Sequence, residues 1–412
     1  MKRNVTILAG IRTPFSKMGS DLAALSAADL GQAVVAALLA KFSVDPARID
    51  EVILGCVGQP ADSMNIARVV ALRAGVPEHV PAVTVHRNCA SGFEAVTTAA
   101  ERIATGRGKV YLVGGTESMS QAPIHFGRGA AKKFAALAKA RDARSRLAAL
   151  ARFRPSDFKP HPALLLALRD PFSGLGMGET AEILAREDDI SRDAQDSFAL
   201  RSHQRAAAAR DFLDGEIAPV YPPGSGSATA DNGIRESQTL EALAKLRPVF
   251  DKATGTVTAG NSSQLTDGAV ALLVGDEDSA RQLGIEPLGF LTGYAYTGCD
   301  PARMGLGPVS AIAEANRRTG RTLADADLVE INEAFAAQTL AVLKRLDGEA
   351  IPDDNLNPNG GAIALGHPVG ATGARLVLTA LRELQRRGGK RALVSLCVGG
   401  GQGAALWLER NP

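Results

Sequence analysis

Three residues in this sequence combine reactive chemistry with surroundings that suit nucleophilic catalysis. Cys89 follows the apolar run Ala82–Val85 and precedes a helical pattern, within the segment HRNCASG. A thiol at the turn from a strand into a helix lies near free backbone N–H groups and the positive end of the helix dipole, and both stabilise the thiolate. The position predicts a nucleophilic cysteine, although a buried structural cysteine is the commoner alternative.

His367 lies in a loop made almost entirely of small residues, NPNGGAIALGHPVGATGAR. Gly366 and Gly370 permit turns and close approach, while Pro368 fixes the backbone beside the imidazole. Ordering so much glycine is entropically unfavourable, so such a loop is expected where something must fit against the imidazole. A cysteine nucleophile needs a nearby base, and we expect His367 to supply it.

Cys397 ends an apolar run and is followed by three consecutive glycines, Gly399–Gly400–Gly401. Glycines after a strand allow backbone N–H groups to point into a cavity, where they can hold an oxyanion. A dinucleotide-binding loop is rejected, because Ala404 occupies the last position of the pattern G-x-G-x-x-G.

The segment NEAF follows the apolar run LVEI and places Asn332 at the end of a predicted strand. Its amide could hold a water molecule or polarise a carbonyl group, and Glu333 could orient other groups. An asparagine that caps the next helix is an equally open interpretation.

The composition narrows the class of protein. The chain has 412 residues, of which 45% are hydrophobic, enough for two or three domains with a substantial core. A net charge of +2 gives no indication of nucleic-acid binding. Four cysteines without a CxxC pair argue against a disulfide framework and structural zinc, and favour reduced thiols in a cytosol-like compartment. The start of the chain reads as a strand rather than a secretory signal, no run is long enough to span a bilayer, and we expect a cytoplasmic protein.

Apolar, β-branched runs alternate with alanine-rich amphipathic stretches, which predicts an α/β protein with buried parallel strands. The predicted strands are Val5–Ala9, Val52–Val57, Ala82–Val85, Val110–Val113, Ala269–Val274, Leu288–Tyr296, Leu328–Ile331, Ala392–Cys397 and Ala404–Leu408. The predicted helices are Asp29–Lys41, Gly92–Thr105, Ser191–Phe212, Val309–Arg318 and Ala371–Arg387, the third capped by Ser191 or Asp193 and followed by Gly215.

An internal similarity links the two ends of the chain. The helix Gly92–Thr105 is followed by the turn GRGK, the strand VYLV and Gly114–Gly115. Near the C-terminus, the helix Thr372–Arg387 is followed by RGGKR, the strand ALVSL and Gly399–Gly401. The repeated order predicts two related α/β halves, packed face to face.

A basic insertion interrupts this pattern between Gly127 and Phe172. Apolar residues such as Phe134 and Leu147 stand among many lysines and arginines. A basic amphipathic helix can lie on a membrane surface or dock a partner, and it can equally pack against its own domain as a solvated helix.

Together these segments resemble the thiolase family, which comprises acetyl-CoA acyltransferases and acetyl-CoA acetyltransferases. NCASG, GNSS, NEAF, GGAIALGHPVGATGAR and CVGGGQG occur in the family's order and spacing. The resemblance runs from RTPF near the N-terminus to the last predicted strand. It implies the five-layered α-β-α-β-α thiolase fold of two similar halves with an inserted loop domain.

The resemblance also implies a role for each reactive residue. Cys89 attacks the acyl thioester and forms an acyl-enzyme, His367 takes its proton, and Cys397 protonates the departing acetyl-CoA carbanion or deprotonates acetyl-CoA in reverse. Two oxyanion sites are implied, one from His367 with a water held by Asn332, the other from the backbone N–H groups of Cys89 and Gly399.

The resemblance also implies which residues contact the substrate. Ser263 matches the family serine that contacts the pantetheine arm, while Met177 and Phe335 are implied to line the pocket. Coenzyme A is a substrate, and no tightly bound cofactor or metal is expected.

The division implied is 1–121 and 246–276 for the N-terminal half, 122–245 for the loop domain and 277–412 for the C-terminal half. The insertion, with MGETAE and RSHQRAAAA, resembles the subgroup of the fatty-acid oxidation complex β-subunit, which degrades long 3-ketoacyl-CoAs beside a hydratase/dehydrogenase subunit. That subgroup carries His where Asn332 stands, whereas ordinary biosynthetic and degradative thiolases carry Asn. Expected partners are therefore acyl-CoA and CoA, a second copy in a homodimer or homotetramer, and, through the insertion, the hydratase/dehydrogenase subunit or a membrane surface, but no nucleic acid.

Four alternatives remain beside the degradative thiolase. An acetoacetyl-CoA-specific biosynthetic acetyltransferase shares all the reactive residues. The related decarboxylating ketoacyl synthases need two histidines, or His and Asn, in the second half, where only His367 occurs after His203. A non-catalytic lipid-binding relative would have lost reactive residues, all of which are present here. An interaction protein acting mainly through the insertion needs a partner that the sequence does not show.

Overall fold

Apolar runs and helical patterns become the strands and helices of a mixed α/β chain. A computed structural model describes residues 5–224, 226–346 and 351–410. Its strands are β1 (Val5–Arg12), β2 (Ser16–Lys17), β3 (Glu51–Gly55), β4 (Ala82–Val85), β5 (Val110–Glu117), β6 (Ile124–His125), β7 (His161–Pro162), β8 (Thr266–Gly275), β9 (Gly289–Gly298), β10 (Leu328–Ile331), β11 (Arg391–Val398) and β12 (Gln402–Glu409).

The helices match the predicted amphipathic stretches and add several in the connecting segments. They are α1 (Ala27–Lys41), α2 (Ile66–Arg73), α3 (Ser91–Ala104), α4 (Arg128–Lys139), α5 (Ala143–Leu150), α6 (Ala163–Ala167), α7 (Met177–Glu187), α8 (Arg192–Ala208), α9 (Arg210–Asp214), α10 (Leu240–Ala244), α11 (Glu277–Leu283), α12 (Gly307–Thr319), α13 (Ala336–Arg345), α14 (Ala362–Leu365) and α15 (Thr372–Arg387).

Two sets of strands meet at one short pairing. The first set has the order β4-β3-β5-β8-β1, with β2 paired to β8, and the second has the order β9-β12-β11-β10. They join where Val5–Ile7 of β1 pairs with Gly289–Leu291 of β9. The expectation of a parallel sheet was wrong in part: β3 runs parallel to β4 and β5, and β10 to β11, but the other pairs are antiparallel. Helices cover both faces of these strands, so antiparallel members carry continuous apolar runs as well.

Five layers follow from the way the helices cover these strands. Helices α1 and α2 pack on the outer face of the first set, and α12 and α13 on the outer face of the second. Between the two sets lie α3 and α15, whose buried residues share one apolar cluster with strands of both halves. The predicted α-β-α-β-α fold of two similar halves is confirmed.

The internal similarity corresponds to α3 followed by β5 and α15 followed by β11. The glycines at the two ends differ, because β5 continues through Gly114 and Gly115, whereas Gly399–Gly401 form a turn after β11. The predicted helix Ser191–Phe212 is divided at Ala209 into α8 and α9. Ser191, rather than Asp193, caps α8, since its Oγ accepts the Ala194 N–H at 3.1 Å.

The insertion is a compact unit by itself. Ala122–Arg169 forms one unit, and Met1–Gln121 with Asp170–Pro412 forms the other. Four phenylalanines of the smaller unit form a cluster of contacting rings, Phe126, Phe134, Phe153 and Phe158. This unit coincides with the first part of the predicted loop domain 122–245, and the four-part division stays a prediction. None of the described helices combines the length and apolar character needed to cross a bilayer.

Candidate active site

Cys89 lies in a tight turn between β4 and α3. Asn88 has a left-handed backbone, with φ of 43°, a conformation that Asn tolerates better than most residues. The Ser91 hydroxyl fixes the turn, because it accepts the Arg87 N–H at 2.9 Å and donates to the Asn88 carbonyl at 2.7 Å. Helix α3 has no side-chain cap, so the thiol stands at an open helix N-terminus, as predicted.

The surroundings of Cys89 act on its pKa in opposite directions. Although the residue keeps some solvent exposure, burial among protein groups is the largest influence and raises the pKa of the thiol. The backbone N–H groups of Gly399 and Cys89 itself lower it, and the charge of Glu117 raises it. The N–H groups therefore favour the thiolate, as predicted, but burial outweighs them, so the thiol needs a base.

His367 is buried and held in one tautomer. Its Nδ1 lies 2.7 Å from the Thr372 hydroxyl, and that hydroxyl donates to the Pro368 carbonyl at 3.0 Å. The hydroxyl can therefore only accept from the imidazole, which places the proton on Nδ1 and the free lone pair on Nε2. Nε2 is buried without a hydrogen-bond partner among the described residues. Burial, followed by the charge of Arg375, lowers the pKa of His367 to about 4, so the ring is neutral at pH 7 and ready to accept a proton.

Glycine contacts bring the loops of Cys89 and His367 together. A Cβ atom on Gly92 would lie 2.5 Å from the Ala374 nitrogen, and one on Gly373 would lie 2.5 Å from the Phe93 nitrogen. The first turns of α3 and α15 therefore touch backbone to backbone, which only glycine allows at these positions. A Cβ on Gly115 would overlap the Gly370 carbonyl, so β5 approaches the His367 loop equally closely.

Glu117 joins these segments through hydrogen bonds. It was not identified from the sequence as a residue of the site. Its buried carboxylate, at the end of β5, accepts the backbone N–H groups of Val57 at 3.1 Å, Gly58 at 2.8 Å and Gly370 at 2.9 Å. Burial raises its pKa to about 7, against the effect of the three N–H groups. An acidic residue at the end of the mostly apolar run VYLVGGT was the available signal.

Cys397 lies at the end of β11 in apolar surroundings. It shares a buried cluster with Val257, Phe335 and others, against which Met177 packs. Burial is the largest influence on its pKa, followed by the charges of Cys89 and Cys299, and together they raise the pKa far above that of an ordinary thiol. Cys397 is thus a neutral thiol close enough to Cys89 for the two to interact electrostatically.

The glycine turn after Cys397 is anchored to the turn that carries Cys89. Gly400 and Gly401 have left-handed backbones, with φ of 89° and 78°. Asn88 Nδ2 donates to the Gly399 carbonyl at 2.7 Å, while the Gly399 N–H faces the Cys89 sulfur. The N–H groups of Cys89 and Gly399 therefore converge where an oxyanion on a Cys89-bound carbon would form. Asn88 was also missed in the sequence, because nothing there indicates its left-handed backbone.

Asn332 is buried at the end of β10, and neither side-chain atom has a hydrogen-bond partner among the described residues. Helix α13 starts at Ala336, with Phe335 as an N-cap that makes no side-chain bond. The interpretation of Asn332 as a helix cap was therefore wrong. A buried amide with unused donors and acceptors suits a bound water or carbonyl oxygen.

Glu333 acts on the His367 loop, as the sequence suggested. It accepts hydrogen bonds from Ser202 Oγ at 2.6 Å, Asn357 Nδ2 at 3.0 Å and the Ile363 N–H at 3.2 Å. The carboxylate also fills the space that a side chain on Gly361 would need. It therefore fixes the segment that leads into His367.

Ser263 and Phe335 lie on adjacent segments. The Ser263 N–H donates to the Ala334 carbonyl at 2.9 Å, and Ser263 is half-buried. The Phe335 ring packs edge-on against Phe250, with centroids 6.0 Å apart. Phe335 and Met177 thus share the apolar wall beside Cys397, while Ser263 joins this wall through its backbone.

Comparison with known proteins identifies the family. The family model described as the thiolase N-terminal domain matches residues 5–278, and the thiolase C-terminal domain matches residues 285–410. The chain belongs to the thiolase family. This thiolase is accordingly an acyltransferase.

Two curated relatives span nearly the whole thiolase. An acetyl-CoA acetyltransferase of Chromobacterium violaceum is 45% identical, covering 98% of this chain and 99% of its own. A 3-ketoacyl-CoA thiolase of Yersinia enterocolitica is 42% identical, covering 98% and 96%. Among solved structures, human mitochondrial 3-ketoacyl-CoA thiolase in complex with CoA is 40% identical with a TM-score of 0.88, covering 100% of this chain and 98% of that one.

Proposed function

We propose that this thiolase cleaves 3-ketoacyl-CoA with CoA to acetyl-CoA and a shortened acyl-CoA, and catalyses the reverse condensation, through an acyl group on Cys89. The observation that carries the proposal is the set of protonation states at the site. His367 is a neutral imidazole with Nε2 free, Cys397 is a protonated thiol, and Cys89 is flanked by two backbone N–H groups. A base, a nucleophile and an acid are thus present in one place.

In the first half-reaction the Cys89 proton moves to His367 Nε2, and the thiolate attacks C3 of the 3-ketoacyl group. The resulting oxyanion accepts hydrogen bonds from the N–H groups of Cys89 and Gly399. The C2–C3 bond then breaks, the acyl group stays on Cys89, and C2 takes the Cys397 proton to give acetyl-CoA.

In the second half-reaction the Cys397 thiolate accepts the proton of the incoming CoA thiol. The CoA sulfur attacks the Cys89 thioester, the bond from the acyl carbon to the Cys89 sulfur breaks, and the Cys89 thiolate recovers its proton from His367. Every group returns to its starting state. No bound cofactor is needed, because CoA enters as a substrate.

The tautomer of His367 couples proton transfer to charge stabilisation. Because Thr372 holds the Nδ1 proton, Nε2 becomes a donor only after it has taken the proton from Cys89. The oxygen of the departing enolate then meets a new N–H donor, and Asn332 would hold a water on the same oxygen. Acylation thus creates the second oxyanion site as it proceeds.

Substrate contacts are proposed for the apolar wall beside Cys397. Met177 and Phe335 would contact the acyl chain, and Ser263 would contact the pantetheine arm. The human thiolase whose structure is a complex with CoA resembles this chain along its full length, which supports CoA binding here.

The second candidate is an acetoacetyl-CoA-specific biosynthetic acetyltransferase. The Chromobacterium relative, named acetyl-CoA acetyltransferase, favours it, whereas Asn332 is compatible with both candidates. Rates of thiolysis across a series from acetoacetyl-CoA to long 3-ketoacyl-CoAs distinguish the two: a long-chain preference supports the degradative role, and activity limited to acetoacetyl-CoA supports the biosynthetic one. A non-catalytic lipid-binding relative would show no thiolysis with any of them.

Trapping of the acyl-enzyme tests the chemistry itself. Radiolabelled acetyl-CoA should leave label on the peptide that contains Cys89 and on no peptide of a Cys89→Ala variant. Label on Cys397 instead, or no label, would reject the proposal.

For assembly, we propose a homodimer or homotetramer in the cytoplasm, with a hydratase/dehydrogenase subunit as a second partner. Strand β4 is the last strand at its end of the sheet, so its outer edge can pair with another chain. The three thiols Cys89, Cys299 and Cys397 are unpaired, and the first two lie close enough to Cys397 to raise its pKa, which suits a reducing compartment. Light scattering after size exclusion measures the oligomer.

A further inference from the structure

The insertion has a much larger net positive charge than the chain as a whole. Ala122–Arg169 contains eleven Lys and Arg and two Asp, a net charge of +9, whereas the whole chain carries +2, so the other residues together carry −7. We call Ala122–Arg169 the basic unit. A charge of this size in so short a segment attracts anionic surfaces and repels a second copy of itself.

Most of these charges face solvent without a partner. Within the basic unit, every residue of which the structure describes, Lys133 is the one cation in an ion pair, at 2.6 Å from Asp157. The other ten basic residues are exposed: Arg128, Lys132, Lys139, Arg141, Arg144, Arg146, Arg152, Arg154, Lys159 and Arg169. Their number exceeds what the fold of the unit uses.

Large apolar side chains are exposed in the same unit. Of the sixteen exposed in the described part of the chain, eight belong to the basic unit: Ile124, Phe126, Phe134, Leu147, Leu150, Phe158, Leu165 and Leu166. Leu147 is 69% exposed and Leu165 63% exposed. So many apolar groups at the surface mark an interaction site.

Charge and apolar surface coincide on α5. Arg144 and Leu147 are three residues apart, as are Leu147 and Leu150, so these side chains lie along one face of the helix. The exposed phenylalanines of the unit contact one another in the aromatic cluster. Helix α5 therefore presents leucine and arginine side chains together to solvent, a combination that the boundary between headgroups and acyl chains of a membrane can accept.

We propose that the basic unit binds the surface of an anionic lipid bilayer. The charge selects an anionic partner, and the exposed leucines select one that also accepts apolar side chains, which the headgroup region of a bilayer does. Nucleic acid or the phosphates of coenzyme A would use the arginines but leave Leu147, Leu150, Leu165 and Leu166 in water. Binding of this kind is independent of the proposed reaction and is measured without it.

Flotation of the full-length protein with vesicles tests the proposal. At 150 mM NaCl, the protein should float with vesicles of 70% phosphatidylcholine and 30% phosphatidylglycerol, and should stay behind with pure phosphatidylcholine. The variant R141Q/R144Q/R146Q should bind the anionic vesicles roughly 100-fold more weakly, at about fivefold for each basic residue. The variant L147S/L150S should bind them about tenfold more weakly.

Matched controls separate this surface from general charge and from misfolding. The variant K41Q/R107Q/K390Q removes three exposed cations outside the basic unit and should bind like the wild type. All variants should keep the wild-type circular dichroism spectrum and the wild-type rate of acetoacetyl-CoA thiolysis in the absence of vesicles.

Several results would overturn the proposal. The first is the absence of binding to anionic vesicles, and the second is equal binding by R141Q/R144Q/R146Q and its control. Loss of the wild-type oligomer in L147S/L150S, with vesicle binding unchanged, would assign the apolar face to a second copy. Release from vesicles by free CoA at micromolar concentration would assign the arginines to the substrate, and capture of an acidic hydratase/dehydrogenase subunit without vesicle binding would assign them to that protein.

Discussion

The two halves of this thiolase place corresponding elements around one site but use them differently. Helices α3 and α15 meet at their first turns, with Cys89 before one and His367 before the other. Strands β5 and β11 follow these helices, and near their carboxyl ends they carry Glu117 and Cys397. The first half thus contributes a thiol and a carboxylate, and the second contributes an imidazole and another thiol.

Glu117 and Cys397 occupy corresponding strand ends but differ in the groups that surround them. Glu117 is surrounded by backbone N–H groups and binds three of them. Cys397 is surrounded by apolar groups and keeps its proton. Equivalent strand ends can therefore serve to fix loops or to move a proton, depending on whether donors or apolar atoms surround them.

Removal of the acid should have the largest effect on catalysis. Cys397→Ala should still be acylated by acetyl-CoA, whose CoA thiolate can leave without an acid, but should lose thiolysis by roughly 10²- to 10⁴-fold, because proton transfer contributes about that much. Glu117→Gln, at the corresponding strand end, should lose about tenfold or less, since it only positions loops. Steady-state thiolysis together with the acylation burst measures both, and a Cys397→Ala variant within tenfold of wild type would contradict the division.

A fall in pH should lower the free energy of unfolding of the protein, because His367 is buried as a neutral imidazole. The unfolded imidazole of His367 binds a proton near pH 6.5, whereas the folded one does so only near pH 4. The unfolded state therefore binds more protons between these values, and stability decreases as the pH falls through this range, by about 3 kcal/mol from this group.

Denaturant unfolding of wild type and His367→Asn at pH 7 and pH 4.5 measures this contribution. The loss of stability between the two pH values should be smaller in the variant by most of that amount. His203, whose pKa burial lowers to about 4 as well, offers a matched comparison: His203→Asn should remove a similar part. An unchanged pH dependence in His367→Asn would indicate that folding does not lower the pKa of this imidazole.

The next largest effect is expected from the loss of the hydrogen bond between Asn88 and Gly399, which joins the two halves at the proposed oxyanion site. Asn88→Gly keeps the left-handed backbone but loses the amide that holds the Gly399 carbonyl at 2.7 Å. We expect kcat to fall roughly 10- to 100-fold with little change in KM, because a misplaced donor weakens the transition state more than the bound substrate. Asn88→Ala should add backbone strain and lower stability by about 1 kcal/mol. A change in KM alone would contradict the positioning role.

The smallest effect is expected from the group that selects the tautomer. Thr372→Val removes the acceptor of the Nδ1 proton and should lower the acylation rate about fivefold, the value of one hydrogen bond of ~1 kcal/mol. Thr372→Ser keeps the hydroxyl and should restore the rate. A valine variant as fast as the serine variant would show that the tautomer needs no support.

The sequence singled out the three candidate reactive residues because each has a local signal. Cys89 stands before a helix, His367 stands among glycines, and Cys397 stands before three more. The repeated order of helix, turn and strand likewise predicted two similar halves. These signals depend on neighbours in the chain, which the sequence displays directly.

What the sequence did not reveal depends on contacts between distant residues. Glu117 acquires its role from Val57 and Gly370, and Asn88 acquires its role from Gly399, more than 300 positions away. The direction of each strand pair depends on the connections between strands, so apolar runs alone gave a parallel sheet where the structure is mixed. The pKa of Cys89 depends on enclosure by both halves, which no local pattern displays.

The contact between Gly92 and Gly373 has a consequence for engineering. Because the backbones of the two helices touch there, the distance between the Cys89 turn and the His367 loop is fixed by both halves together. A change in one half alone cannot alter it without a clash. Mutagenesis for a new acyl-chain selectivity should therefore leave the first turns of α3 and α15 unchanged. It should vary the side chains of Met177 and Phe335, which line the apolar surface beside Cys397.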